Sequence, residues 1–503
     1  MTKEYNRQSF VARPAGRARK IERLGITTTG RGDQRVKWPS FDPRNLGRGI
    51  LHFGCGAFHR AHQNIFTQRA IELERDAKSD WGVVGVSFRS NRTRQLLAPQ
   101  DFLYTVLERD QDSTSAEVVG VLRGMLSAGN EKAEVIAAIK DPQTRIITLT
   151  VTASGYAVAP VHSEAQPNVD PDAIGLLVNG LAAVRTQGTA PPVLISCDNI
   201  PANGRHLRQA LIQRAELASP SLGRWIDQNV QCPSSVVDRI VPVPAAQDSI
   251  TASGLLGLQD LAAVATEPFR QWVIEDFEGA RPAWERAGAK FVADTLPWEA
   301  SKLKLLNGTH MAIAYLGILS GLKTVSDFVL DPLFAEYAWR FMIDEQIPTI
   351  PKSDHDLVSY SGQLLERWRN TKMLHQLQRI ARNGSEKLQP RLLCSLARNM
   401  ATGRPAPCTM LAVAAWVCYA ARILPFDGVI EDASSSSLEK LAEHSRGDTK
   451  LLLRTLLSRA DIFGHKLPHM AAFRDELSSA INCLKQNGVR KTVSRIVSLP
   501  VGS

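Results

Sequence analysis

Two hydrophobic rhythms divide the chain. In the first half, short apolar and β-branched runs are separated by helix-like stretches, the pattern of strands alternating with helices. Gly49-Ile50-Leu51-His52-Phe53-Gly54 reads as a buried strand running into a glycine turn, with a helical pattern following from Ala61 to Glu74. Further strands are expected over 82–87, 145–152 and 192–196, and helices over 134–140 and 174–185. Such alternation predicts a parallel sheet covered on both faces. From about residue 300 the strand runs disappear, and 302–321, 333–345, 391–402, 408–422 and 472–486 all carry helical period. The expected fold class is α/β, an N-terminal sheet domain followed by a mainly α-helical C-terminal domain.

The end of the first strand carries candidate chemistry. In Gly54-Cys55-Gly56-Ala57-Phe58-His59-Arg60, the first glycine permits a tight turn and the second lets the backbone approach a pyrophosphate. The following helix start offers N–H groups to it. This points to a Rossmann-type dinucleotide-binding domain, with Gly54, Gly56, Phe58, His59 and Arg60 as cofactor-binding candidates. His59 stands where the motif has its third glycine, so the turn also fits any α/β protein. The second strand ends in Ser87-Phe88-Arg89-Ser90-Asn91-Arg92. A carboxylate there would favour NAD, whereas an arginine accommodates the phosphate of NADP. Ser87 and Arg89 join the candidates; NAD is expected and NADP stays open.

The helical half opens on Trp298-Glu299-Ala300-Ser301-Lys302-Leu303-Lys304-Leu305-Leu306-Asn307-Gly308-Thr309-His310. At about 100° per residue, with Lys302 at zero, Glu299 falls at ~60°, His310 at ~80°, Asn307 at ~140° and Lys304 at ~200°. One face thus gathers an amine, an amide, an imidazole and a carboxylate. A dehydrated lysine in such company can accept a proton near neutral pH. The spacing alone also fits an ordinary solvated helix face.

Composition narrows the classes. The 503 residues are 44% hydrophobic and 22% charged, as in soluble globular proteins. No window is long and apolar enough for a membrane span, and no secretory h-region opens the chain. Seven cysteines (55, 197, 232, 394, 408, 418 and 483) form no CxxC pair, which suggests a reducing compartment and a cytoplasmic location. Cys197 reads as buried rather than nucleophilic. The net charge of +10 is concentrated: residues 1–48 hold 12 Lys and Arg against 4 Asp and Glu. That segment reads as a basic flexible arm, residues 49–296 as the dinucleotide-binding domain and 297–503 as the helical substrate-binding and catalytic domain. Without aromatic or apolar partners the arm implies neither nucleic acid nor membrane. His59 and His62 have the spacing of a metal pair but lack an evident third ligand, so no metal is assigned and His59 is read as a local hydrogen-bonding residue.

Several ordered motifs resemble the polyol-specific long-chain dehydrogenases, the mannitol 2-dehydrogenase family, which includes mannonate (fructuronate) and altronate oxidoreductases. They are Gly54-x-Gly56-x-Phe58-His59-Arg60-Ala61-His62-Gln63, Ser196-Cys197-Asp198-Asn199, Ser235-Val236-Val237-Asp238-Arg239-Ile240, Ile274-Glu275-Asp276-Phe277, Lys302-x4-Asn307-x2-His310, Asn383-Gly384-Ser385-Glu386-Lys387 and Ala460-Asp461-Ile462-Phe463-Gly464. Together they cover roughly residues 49–490. The resemblance implies a metal-independent, nicotinamide-dependent oxidation of a secondary alcohol, with mannitol/fructose as the first pair and mannonate/fructuronate as the alternative. An extra cation at the substrate terminus would favour the acid. Lys302 resembles the general base, and Asn199 and Asn307 the amides that hold the developing alkoxide. Glu299 resembles the carboxylate that passes the proton to water. His310, Asp238, Arg379 and Lys387 match positions that line the polyol site. Long-chain members are commonly monomers, so a monomer is expected. In the family's Val-Thr-Glu-x-Gly-Tyr, the carboxylate is replaced by Ala153. This loss motivates the reading from another class, a catalytically silent sensor of nucleotide or sugar acid.

Overall fold

A computed structural model describes residues 21–500, apart from 29, 31, 75–77, 157–171, 374 and 446–447. The strands are β1 (Val36–Lys37), β2 (Ile50–Phe53), β3 (Val83–Ser87), β4 (Tyr104–Arg109), β5 (Thr114–Val119), β6 (Leu122–Ser127), β7 (Ile146–Leu149), β8 (Val193–Ser196), β9 (Ser235–Asp238), β10 (Val264–Thr266), β11 (Gln271–Glu275) and β12 (Lys290–Val292). Five of them form a wholly parallel sheet in the order β6-β3-β2-β7-β8. Every residue of β2, β7 and β8 is buried, which is why they read as mainly apolar runs; the polar His52 and Thr148 inside them hydrogen-bond to each other. Leu51, Phe53 and Leu149 pack beneath the helices Lys132–Lys140, Ala173–Gln187 and Asn203–Ala218. Ile50, Ile146 and Ile195 face the other side, against Ile65, Phe66, Trp272 and Trp284. The chain order reverses between β2 and β7, and a crevice at such a switch point is where dinucleotide-binding sheets bind ligands.

Two further sheets were not anticipated by the sequence. One has the order β1-β5-β4-β10 around the antiparallel pair β4–β5, the other the order β12-β11-β9. Their strands carry Thr, Glu, Ser and Gln among the apolar residues, so no continuous apolar run marks them. Part of the expected flexible arm is corrected as well. Leu24 is fully buried, and β1 pairs with β5. Leu24 and Val36 join Leu103, Leu107 and Val118 in one core. Two apolar residues suffice to dock a segment whose composition is mostly basic. Residues 1–20 lie outside the described residues.

The second half is helical, with no strand among its described residues from 297 onward. Every residue from Cys408 to Ala420 is buried in the helix Pro407–Ala420, as expected of a helix apolar on all sides. It packs on the helix Thr309–Leu319. The last helix, Ala471–Val497, is broken at Gly488 (φ 70°, ψ 172°), close to where the helical period of the sequence stops. Gly384 shows how tightly this half is filled. A Cβ there would lie 2.1 Å from Tyr315 Oη and 2.6 Å from Trp416 Nε1, both in buried rings. Overpacking of this kind costs about 1–3 kcal/mol. Gly384→Ala is therefore expected to lower the calorimetric melting temperature; an unchanged value would mean that both rings yield freely.

Candidate active site

At the carboxyl ends of β2 and β7 a cleft of about 600 Å³ runs between the two halves, bordered by Gly54, Gly56, Thr150 and Asn199 on one side and Lys302, Asn307 and His310 on the other. Gly54 has φ 97°, and a Cβ there would sit 2.2 Å from the Thr150 carbonyl oxygen, so only glycine closes this turn. Gly56 differs: a Cβ would meet nothing nearer than the Gly54 oxygen at 3.7 Å. The protein itself does not demand glycine at 56, whereas a phosphate lying on that backbone would. The turn therefore fits a dinucleotide cofactor. Phe58 also borders the cleft.

Other expected cofactor residues lie elsewhere. His59 is buried and stacks on His52 with ring centroids 3.3 Å apart, and its Nδ1 has no hydrogen-bond partner. Stacking replaces the local hydrogen bonding expected of it. Arg60 is buried too, donating to the carbonyls of Gly56 and Ala262 and lying over the Tyr104 ring. Ser87 donates to the Leu126 carbonyl, and Arg89 is exposed just past β3. Cys197 is buried, its thiol pushed up to about 12 by desolvation.

Asp198 shapes the near wall. Its carboxylate accepts from the N–H groups of Val151 and Thr152 and from the Tyr156 hydroxyl, holding Thr152 at φ 68°. Ala153 borders the cleft. Beyond Asp198, Asn199 reaches the far wall: Lys302 Nζ donates to Asn199 Oδ1 at 2.7 Å. With its oxygen engaged, the amide has its two N–H donors left for the cleft. Burial draws the Lys302 pKa below its ordinary value; Arg367 and Arg391 act the same way, and Asp238 and Glu299 oppose them.

The helical angles drawn from the sequence do not survive. Lys302–Gly308 is π-helical, and a π-turn bonds residue i to i+5. Residues five apart therefore come round to nearly one face, and Asn307 borders the cleft beside Lys302 rather than far around the helix. The Asn307 side chain makes no hydrogen bond to another described residue. His310 is 7% exposed with Nε2 unpartnered. Burial lowers its pKa well below the usual imidazole value, with His375 beside it adding to the effect. The Glu299 carboxylate makes no ion pair with the Lys302 amine; both its oxygens accept from Ala202 N–H, and burial raises its pKa. Asp238 borders the cleft. Arg379 and Lys387 do not: Arg379 is exposed, and Lys387 donates to the Arg382 carbonyl. Arg367, Tyr360, His375 and Arg391 surround the site and were missed, because no local spacing connects them to it.

A dinucleotide-type sheet whose switch-point cleft faces an amine and two amides fits an oxidoreductase. The chain matches the mannitol dehydrogenase Rossmann domain over residues 48–286 and the mannitol dehydrogenase C-terminal domain over residues 294–485. It belongs to the mannitol dehydrogenase family. The uncharacterized oxidoreductase YeiQ of Escherichia coli is 36% identical over 91% of this chain and 96% of its own. The D-mannonate oxidoreductase of Escherichia coli is 35% identical over 94% of this chain and 100% of its own. Among solved structures, the Pseudomonas fluorescens mannitol 2-dehydrogenase in ternary complex with NAD and D-mannitol matches with a TM-score of 0.79 at 32% identity. That match covers 95% of this chain and 100% of the other.

Proposed function

We propose that this protein is an NAD(P)-dependent dehydrogenase that interconverts a linear polyol or aldonate with its 2-keto product, using Lys302 as general base. The observation that carries this reading is the 2.7 Å hydrogen bond from Lys302 to Asn199, which joins the two halves at the mouth of the switch-point cleft. Held there, the amine can take the hydroxyl proton while the N–H donors of Asn199 and Asn307 receive the developing alkoxide. The nicotinamide cofactor, when bound at Gly54 and Gly56, supplies the two-electron acceptor. NAD is favoured by the complex of the Pseudomonas relative; Arg89 keeps NADP as the alternative.

One observation favours the acid over the polyol. The Arg391 side chain makes no hydrogen bond or ion pair with another described residue. It stands within electrostatic reach of Lys302, His310 and Lys387. A half-buried arginine with no carboxylate of a described residue to answer it suits a carboxylate of the substrate. The test is the absorbance of reduced nicotinamide with NAD⁺ or NADP⁺ and mannitol, arabinitol, sorbitol, mannonate or altronate. Mannonate is expected to be oxidised with higher kcat/KM than mannitol, and Arg391→Gln to narrow that gap. Faster mannitol oxidation would return the reading to the polyol. Silence across the panel with intact cofactor binding would favour a sensor. Oxidation is also expected to rise with pH as Lys302 loses its proton, with the acid limb below the ordinary lysine value of 10.5.

A further inference from the structure

Asp238 borders the same cleft as Lys302 yet is 3% exposed. A buried carboxylate beside an amine favours the ammonium form, which could not accept a proton. The structure sets Arg367 against it, from the helix Leu357–Trp368 in the other half of the chain. The guanidinium donates to both oxygens of Asp238, at 2.8 and 3.0 Å, and to both oxygens of Glu267, at 2.8 and 2.9 Å. It lies 4.0 Å from the centre of the Phe269 ring. Two turns earlier on the same helix, Tyr360 donates to Asp238 Oδ2 at 3.1 Å. The neighbouring Arg239 is committed elsewhere, to Glu108 and to the carbonyls of Ala61 and Glu267. Arg367 is thus the cation paired with Asp238 among the described residues.

We propose that Arg367 is a positioning residue for proton transfer: it aims Asp238 and offsets its charge beside Lys302, so that the lysine remains a free amine when the substrate hydroxyl arrives. This rests on the reading of Lys302 as the base. The charged groups bearing on that amine are Asp238 from β9, Glu299 one turn earlier, Arg367 and Arg391. His62 faces it from the sheet side, kept neutral by burial. Of these, Arg367 is the one that grips Asp238 directly. Although burial alone would raise the Asp238 pKa, Arg367 holds it below the ordinary carboxylate value, so the pair stays ionised while burial draws the pKa of the amine down.

The experiment is the pH profile of kcat/KM for alcohol oxidation in the full-length protein, compared across Arg367→Gln, Arg367→Lys, Asp238→Asn and the double variant Arg367→Gln/Asp238→Asn. Removing the cation leaves Asp238 unopposed, so the acid limb of Arg367→Gln is expected to move up by about one pH unit. Activity then falls about tenfold below the limb and far less above it. Asp238→Asn moves the limb down, and the double variant brings it back close to that of the parent. Arg367→Lys, which keeps the charge, holds the limb near the parent position. A merely structural arginine would instead depress kcat/KM equally at every pH, and that result overturns the proposal. Where Arg367→Gln does not fold, Asp238→Asn decides: an unmoved limb overturns the proposal, a lowered limb supports it. Lys302→Ala with undiminished turnover would bring down the base assignment itself, an outcome distinct from an unmoved limb in an enzyme that needs Lys302.

Discussion

Lys302→Ala is expected to lower kcat for alcohol oxidation by about 10²–10⁴-fold, the usual contribution of a positioned base, while cofactor affinity stays within a few-fold of the parent. The separation follows from where the side chain sits. Lys302 borders the cleft, and its side chain's one hydrogen bond among the described residues goes to Asn199. The packing of its segment rests instead on Leu305 and Leu306, which are buried in the helical core. The glycine turn offered to the cofactor lies on the opposite wall. Rapid-mixing kinetics together with fluorescence titration of the reduced cofactor separate the two effects. Turnover within threefold of the parent would remove Lys302 from the chemistry and leave the cleft as a binding site.

Replacing either amide is expected to be nearly as severe, about 10²–10³-fold in kcat, the loss that follows removal of one donor to a developing oxyanion. The two variants should differ in a diagnostic way. The Asn307 side chain has no hydrogen-bond partner among the described residues, so Asn307→Ala removes a donor and disturbs nothing else. Asn199 also holds the lysine amine, so Asn199→Ala releases the base as well as removing a donor. Its kcat should fall further than that of Asn307→Ala. Because the donors act on charge that appears only in the transition state, KM should change little in Asn307→Ala. A large rise in KM with kcat preserved would make Asn307 a ground-state contact.

The proposed cofactor turn was legible in the sequence because its causes lie within a few residues. A strand buried on both faces is mainly apolar, and the turn after it admits only glycine at 54, where the Thr150 carbonyl lies 2.2 Å from an added Cβ. The change from alternating elements to continuous helical period was equally local. The same local view failed for Leu24 and β1, whose few apolar residues find their partners near residues 103–118. It failed again for His59 and Arg60, which sit in the right motif but point into the protein.

The proposed catalytic wall was half legible. Lys302, Asn307 and His310 stand in a spacing that names them together, yet their arrangement depends on a π-helical segment. That segment lies against another, Gln389–Leu393, and the Arg391 carbonyl oxygen is 3.0 Å from where a Cβ at Gly308 would be. A periodicity of 3.6 residues per turn contains no sign of such a contact. The cluster around Asp238 was out of reach, because Tyr360 and Arg367 are separated from it by 122 and 129 residues. By itself, the sequence determined which side chains were available and the strand–turn–helix that offers a phosphate its backbone, since hydrophobic period and turn sterics act between near neighbours. Only the tertiary structure decided which charges face one another across the cleft, because a carboxylate is kept buried and ionised by partners that folding brings from the far half of the chain.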